Sequence, residues 1–195
     1  MSKYFIHVSS YLDPNVSVGD NTKIWHFNHI LEGTTIGKNC SFGQNCVIGP
    51  KVRIGNNVKV QNNVSIYQGV EIEDDVFLGP SMVFTNVINP RSFINRKNEF
   101  KRTLVKRGSS VGANCTIICG ITIGEFSMIG SGSVVTKNTK PFGLYYGNPA
   151  RLHGWVTKHG NKMNFEEDNT FVDPQDGSQY FKEKENIIVL NQIDK

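Results

Sequence analysis

The chain holds only seven leucines in 195 residues, and no stretch approaches the roughly 20 apolar residues of a membrane span. So little of the commonest helix-core residue argues against a helical domain, and the missing apolar run predicts no membrane insertion. Excess charge is also lacking. Twenty-one Lys and Arg against 17 Asp and Glu leave +4, too mild for bulk electrostatics to point to nucleic acid. Met1 to His7 has neither the basic nor the apolar region of a secretory signal, so a cytoplasmic location is expected. There are four cysteines, and Cys115 and Cys119 are separated by three residues, not the two of a typical metal or redox pair. Structural roles are expected for them, with neither zinc nor a disulfide. Histidine is missing between His29 and His153, which makes a three-histidine zinc site hard to assemble within one chain.

A six-residue period is what the chain has instead. Aliphatic or aromatic residues fall at Val18, Ile24, Ile30, Ile36, Phe42, Ile48, Ile54, Val60, Ile66, Ile72, Leu78 and Phe84, then again at Val105, Val111, Ile117, Ile123, Ile129 and Val135. A helix would repeat at 3.6 and a strand at 2. A sustained six is the signature of an all-β parallel β-helix of hexapeptide repeats, each short strand sending one large side chain inward. Two residues earlier sits a small or β-branched position, which includes Cys40 and Cys46. Glycine often follows the aliphatic residue, as in Ile36-Gly37 and Ile54-Gly55, and is expected there to turn a corner at positive φ. The boundaries predicted are a lead-in segment over 1–15, the β-helix over 16–140, and a turn with a capping extension over 141–195. Phe84 to Val105 spans 21 residues instead of six, so a loop is extruded over 87–104. Loops of that length are usually functional or disordered.

Three hexads make one coil, so residues 18 apart stack at about 4.8 Å. That step places Gln68 against Asn86 where the loop departs, and His26, Gln44 and Asn62 in a second column. An amide pair can be a ladder satisfying turn backbone, or a polar cluster that positions a ligand. His26 is either a general base or a partner of nearby backbone. From Val87 to Arg107 seven Lys and Arg face one Glu, which favours an anionic ligand, with Arg91 the candidate for a carboxylate or diphosphate. The last coils offer Ser131, then Lys137, then Arg151 after a Gly-Asn-Pro-Ala turn, a strip suited to a long thin ligand ending in phosphates.

The hexads, the interrupting loop and the Gly147-Asn148-Pro149-Ala150-Arg151 sequence resemble the left-handed β-helix acyltransferases over roughly Val16 to Val156. Phe84-Thr85-Asn86 followed by Asn89-Pro90-Arg91-Ser92, with Gln61-Asn62-Asn63-Val64-Ser65 upstream and Gly112-Ala113-Asn114-Cys115-Thr116 downstream, resembles the nucleotide-sugar 3-N-acetyltransferases. The resemblance implies left-handed coils, a homotrimer with active sites between subunits, and acetyl-CoA as cosubstrate. It implies as acceptor a UDP-linked amino sugar, UDP-2-acetamido-3-amino-2,3-dideoxy-glucuronate, serving O-antigen synthesis. A dTDP-3-amino-3,6-dideoxyhexose, or the acceptor of another β-helix acetyltransferase, is the alternative, and a non-catalytic β-helix interaction subunit the alternative of another class. The expected catalytic residues are Asn86 and Gln68. Arg91, His26 and Tyr67 are expected at the substrate, and Ala113, Ser131, Lys137 and Arg151 at the cosubstrate. Many relatives use a histidine near the loop. None is available here, so that mechanism does not transfer.

Overall fold

The structure, a computed structural model, describes residues 3–191. Short strands, mostly two residues long, stack into three sheets of nine, seven and six strands, parallel throughout the coils. Each turn of the chain gives one strand to each sheet, so the solenoid is a triangular prism of the left-handed parallel β-helix class. Face one begins with Phe5–Ile6, face two with Tyr11–Leu12 and face three with Ser17–Val18. Partners lie 18 residues apart, as in Ile24 with Phe42 and Ile48 with Ile66. Past the loop the same step is lengthened by the insertion, and Leu78 opposes Val111. No helix among the described residues is long and apolar enough to cross a membrane.

The hexad residues form one continuous core in which Ile24, Ile30, Phe42, Ile48, Ile66 and Leu78 are fully buried. Burial of each such side chain contributes about 1.5–3 kcal/mol. The small inward positions have a second task. Thr22 Oγ1 donates to Gly37 O at 2.8 Å and Thr34 Oγ1 to Gly49 O at 2.8 Å. Cys40 Sγ does the same to Gly55 O at 3.2 Å, and Cys115 Sγ to Gly130 O at 3.2 Å. The cysteines therefore replace threonine as small inward donors. Burial pushes their thiols up, away from the thiolate a nucleophile or metal ligand needs.

Two expectations about the coils need correction. The glycines after the hexad residue do not supply positive φ; asparagines one or two positions later do, among them Asn39 (φ 57°), Asn45 (58°) and Asn57 (56°). Gly37 is required because a Cβ there would lie 2.4 Å from Gly55 O in the next coil. The constraint is coil-to-coil approach, not a local dihedral. The stack also begins before residue 16, since Phe5–Ile6 and Tyr11–Leu12 already pair with Lys23–Ile24 and His29–Ile30. It ends later than residue 140: Gly143–Gly147 continues face one beyond Met128–Ile129, then turns back as Ala150–Trp155.

The tail folds into an antiparallel sheet of Thr170–Val172, Gln179–Glu183 and Asn186–Asn191. Its core of Trp155, Met163 and Tyr180 packs with Phe142 and Phe126 from the end of the coils. Such a cover shields an open sheet edge from pairing with other chains. Beside it, His159 Nδ1 and Asn161 Nδ2 hold Asp173, each at 3.0 Å, and Lys158 Nζ holds Asp176 at 3.0 Å. Burial pushes the Asp173 carboxyl up, but hydrogen bonds from Thr157, Gln175, His159 and Asn161 outweigh it and hold it below its ordinary 3.8. Asp176 is held lower still, by Ser178 and Lys158 against the same burial. Depressed folded values mean stability that is complete above about pH 4 and lost as pH falls through them. The urea midpoint of the wild type is expected to fall between pH 5 and 2, and Asp176→Asn to lower the midpoint at pH 6 and flatten that dependence. Parallel midpoint-versus-pH curves for the two proteins would contradict this.

Candidate active site

Two corners flanking face two carry the candidate residues. At the corner between faces two and three, Gln68 and Asn86 follow strands whose register sets Ser65 opposite Val83, which places the two amides one coil apart. Both residues are half-buried. The extruded loop is tied down here at its return, where Lys101 N donates to Asn86 O and Thr103 N to Gly69 O, each at 2.9 Å. This uses the backbone of Asn86 and leaves its side chain available. Among the described residues no hydrogen bond engages the side-chain amide of Asn86 or Gln68, and neither holds a polar atom sealed from solvent without a partner.

The ladders that spacing alone allowed for this pair occur at the other two corners. Asn45 Nδ2 reaches Asn63 Oδ1 at 3.0 Å, Asn57 Nδ2 reaches Asp75 Oδ1 at 3.0 Å, and Asn62 Oδ1 accepts from Gln44 N at 2.8 Å. Gln68 lines a recess of about 320 Å³ with Arg53, Glu71, Phe100 and Arg102. Tyr67, next to it, is 38% exposed on the surface. Lys137 belongs to the same corner two coils further on, about 10 Å along the axis from Asn86.

The cationic loop is less cationic than its sequence. Arg96 pairs with Glu99 at 2.8 Å, Arg102 pairs with Glu71, and Arg107 pairs with Asp75 at 3.3 Å while lying over the Phe126 ring. Three of the seven positive side chains are thus matched by carboxylates. Arg91 is exposed, and its guanidinium donates to the carbonyl of adjacent Pro90 at 3.0 Å. The loop carries an open, shallow depression of about 590 Å³ lined in part by Phe93, Ile94 and Phe100.

At the corner between faces one and two, Ala113 and Ser131 stack on successive coils, with Gly132 N donating to Ala113 O at 2.8 Å. The hairpin continues this line: Tyr146 lies under Gly130 and opposes Arg151, which is exposed. His26 is on the same corner near the other end. His7 follows the first strand of face one, and its ring lies against that of His26 with centroids 3.5 Å apart and the planes tilted by 31°. His26 Nδ1 is sealed from solvent without a hydrogen-bond partner.

One chain therefore brings Gln68, Asn86 and Lys137 to one edge of face two, and His26, Ala113, Ser131 and Arg151 to the other. The edges are separated by roughly six extended residues, on the order of 15–20 Å. A ligand lying along Ala113, Ser131 and Arg151 therefore follows the edge of face two opposite to that of Asn86. Sequence reasoning passed over Tyr146 and His153, whose rings stack at 3.6 Å and 8° on the open face of the hairpin. The one signal was their position bracketing the Asn-Pro-Ala-Arg turn.

Residues 10–50 match the family described as bacterial transferase hexapeptide (six repeats), and residues 33–68 and 107–137 match the hexapeptide repeat of succinyl-transferase. Both matches avoid the loop. The chain is 47% identical over 161 residues, 83% of each chain, to a dTDP-3-amino-3,6-dideoxy-alpha-D-galactopyranose 3-N-acetyltransferase of Aneurinibacillus thermoaerophilus. A hexapeptide-repeat acetyltransferase of Vibrio cholerae, solved with acetyl coenzyme A, is 26% identical with a TM-score of 0.50, covering 60% of this chain and 70% of that one. A mutant GDP-perosamine N-acetyltransferase of Caulobacter crescentus, solved with CoA and GDP-perosamine, shares the fold with a TM-score of 0.55 at 18% identity. That match covers 77% of this chain and 56% of the other.

Proposed function

Because the chain belongs to the bacterial hexapeptide-repeat transferase family, we propose that it transfers the acetyl group of acetyl-CoA to the 3-amino group of a nucleotide-linked amino sugar. The observation that carries this is the unengaged amide pair, Gln68 and Asn86, at the root of the loop, in a chain so similar to a nucleotide-sugar 3-N-acetyltransferase. An acyltransferase of this kind needs no strong base, since a neutral amine is already a good nucleophile. The Asn86 side-chain carbonyl accepts an amine N–H and aims the lone pair, while Gln68 holds the amine or a neighbouring hydroxyl. The nitrogen attacks the thioester carbon, and a backbone N–H of a coil turn meets the oxyanion, a contact typically worth about 3–4 kcal/mol. As the C–S bond breaks, the departing sulfur takes the ammonium proton. Orientation of this kind supplies roughly 7–11 kcal/mol of barrier reduction.

The separation of the two edges supports a homotrimer. A neighbouring copy that lays its Ala113–Ser131–Arg151 edge against the Asn86 edge of the first would bring thioester and amine together. Each subunit would then supply one half of a site. The product is a nucleotide-linked acetamido sugar of the kind that surface-polysaccharide assembly consumes.

For the acceptor we favour a dTDP-linked 3-amino-3,6-dideoxyhexose, because the Aneurinibacillus relative named for such a substrate is similar over most of both chains. The cationic loop that spoke for a uronate is weakened by its three ion pairs. Arg91, exposed and without a carboxylate partner among the described residues, keeps UDP-2-acetamido-3-amino-2,3-dideoxy-glucuronate as the second reading. Initial rates with acetyl-CoA and each acceptor decide between them. The dTDP sugar is expected to give a kcat/KM at least about 100-fold higher, a difference of roughly 2.7 kcal/mol in transition-state binding. A higher value for the uronate, lost in Arg91→Ala, would reverse the assignment. Absence of acetylation of either amine would reject the activity itself.

A further inference from the structure

The recess beside Gln68 carries positive charge that the fold itself does not use. Its walls include Lys51, Arg53, Arg102 and a single carboxylate, Glu71, with Phe100 on the loop side. Glu71 stands opposite Arg53 in the register of face three, yet its carboxylate takes Arg102 from the returning loop. Among the described residues the charged ends of Arg53 and Lys51 are left with neither an ion pair nor a hydrogen bond. Lys51 is also held against its backbone preference. It adopts φ 58° in a column whose neighbours one coil away, Gly33 and Gly69, occupy the left-handed region (69° and 93°) as glycines. Strain of this kind persists where the surroundings impose it, and it gathers at ligand sites. Two unmatched cations thus share a hollow of about 320 Å³ with one member of the amide pair.

We propose that this recess holds the diphosphate bridge of the acceptor, with the Arg53 guanidinium and the Lys51 ammonium as its charge partners. This rests on the acceptor being a nucleotide-linked amino sugar. A guanidinium donates to two phosphate oxygens at once, and an ammonium serves the neighbouring phosphate as a point charge. Lys51 lies two coils from Asn86, about 10 Å along the axis, a gap that one pyranose ring and its glycosidic phosphate can bridge. A diphosphate anchored there sets the sugar against Gln68 with its 3-amine toward Asn86. The recess reads the bridge and not the base, so it selects a diphosphate-linked sugar over a free amino sugar. Glu71 opposes it: the carboxylate occupies Arg102, which would otherwise be a third cation for the same ligand.

Two measurements test this, one of turnover and one of binding. In Arg53→Ala the KM for the dTDP-linked 3-amino sugar is expected to rise at least about tenfold, with kcat within about twofold and the KM for acetyl-CoA unchanged. Arg53→Lys recovers part of the loss, and Lys51→Ala behaves as Arg53→Ala. Glu71→Gln frees Arg102 and is expected to lower the acceptor KM by roughly threefold or more. A purely structural role for the Glu71–Arg102 pair would instead give lower thermal stability and no gain in affinity. An acceptor KM unmoved in Arg53→Ala, or one that rises together with the KM for acetyl-CoA, overturns the assignment. The binding arm is calorimetric titration with inorganic pyrophosphate, expected to bind the wild type and to bind Arg53→Ala about tenfold more weakly. If no amine is acetylated while pyrophosphate still depends on Arg53, the recess stands and the activity falls. If the amine is acetylated while pyrophosphate binds both proteins equally, or neither, the activity stands and the recess is refuted.

Discussion

Replacing Asn86 with alanine is expected to lower kcat/KM for amine acetylation by at least about 100-fold, roughly 2.7 kcal/mol of transition-state stabilisation, while leaving the protein as stable as the wild type. The two halves of that outcome have separate grounds. The Asn86 carbonyl on the backbone accepts from Lys101 N, and that bond survives the substitution. The side-chain amide has no intramolecular hydrogen bond among the described residues, so its removal costs the fold within about 0.5 kcal/mol, as for an ordinary surface change. Its value is realised only when an amine must be held neutral and aligned. Steady-state kinetics with saturating acetyl-CoA, alongside a thermal unfolding curve, check both halves. A kcat/KM within twofold of wild type would remove Asn86 from the mechanism. An activity loss matched by a large loss of stability would make it a structural residue.

Two residues upstream the opposite result is expected. Phe84→Ala removes a side chain that is 1% exposed, in the core between Ile66 of one coil and Ile117 of the next. The coils are locked in register by Gly37-type contacts and by strand pairing on all three faces, so the space cannot close around the smaller residue. Deletion of a buried phenyl ring in such a setting costs about 3–5 kcal/mol. With a slope of about 2 kcal/mol/M, the urea midpoint is expected to fall by roughly 1.5–2.5 M. A fall of less than about 0.5 M would mean that the coils collapse more freely than a stacked solenoid allows. Residual activity at low denaturant should remain within reach of wild type per folded molecule, because the amide corner is rebuilt whenever the coil forms.

The pair Phe84 and Asn86 shows how much the period alone made legible. One large inward residue per hexad is a local and repeated constraint, so it names the core, the 18-residue register and the inserted loop from the sequence alone. It also put Gln68 against Asn86. It misassigned the corner glycines, because a period in sequence does not distinguish a dihedral requirement from a collision with the coil below, and only the 2.4 Å approach at Gly37 separates them. Leu12 and Ile6 extend the same six-step toward the amino terminus, so the earlier start of the stack was readable there. The contact of His7 with His26 and the neutralisation of Arg102 by Glu71 were not readable. Each joins residues whose separation is not a multiple of the period.

By itself the sequence determined the solenoid, its register and the amide corner, because a repeating inward side chain fixes each coil against the next regardless of what lies outside. Tertiary structure decided which edge of face two each remaining candidate occupies, how far the loop keeps its charge, and that Tyr146 and His153 lie flat against each other. The physical reason is that loop and hairpin are aperiodic. Their paths are set by individual contacts, such as Lys101 with Asn86 and Tyr146 with Arg151, that no repeat can encode.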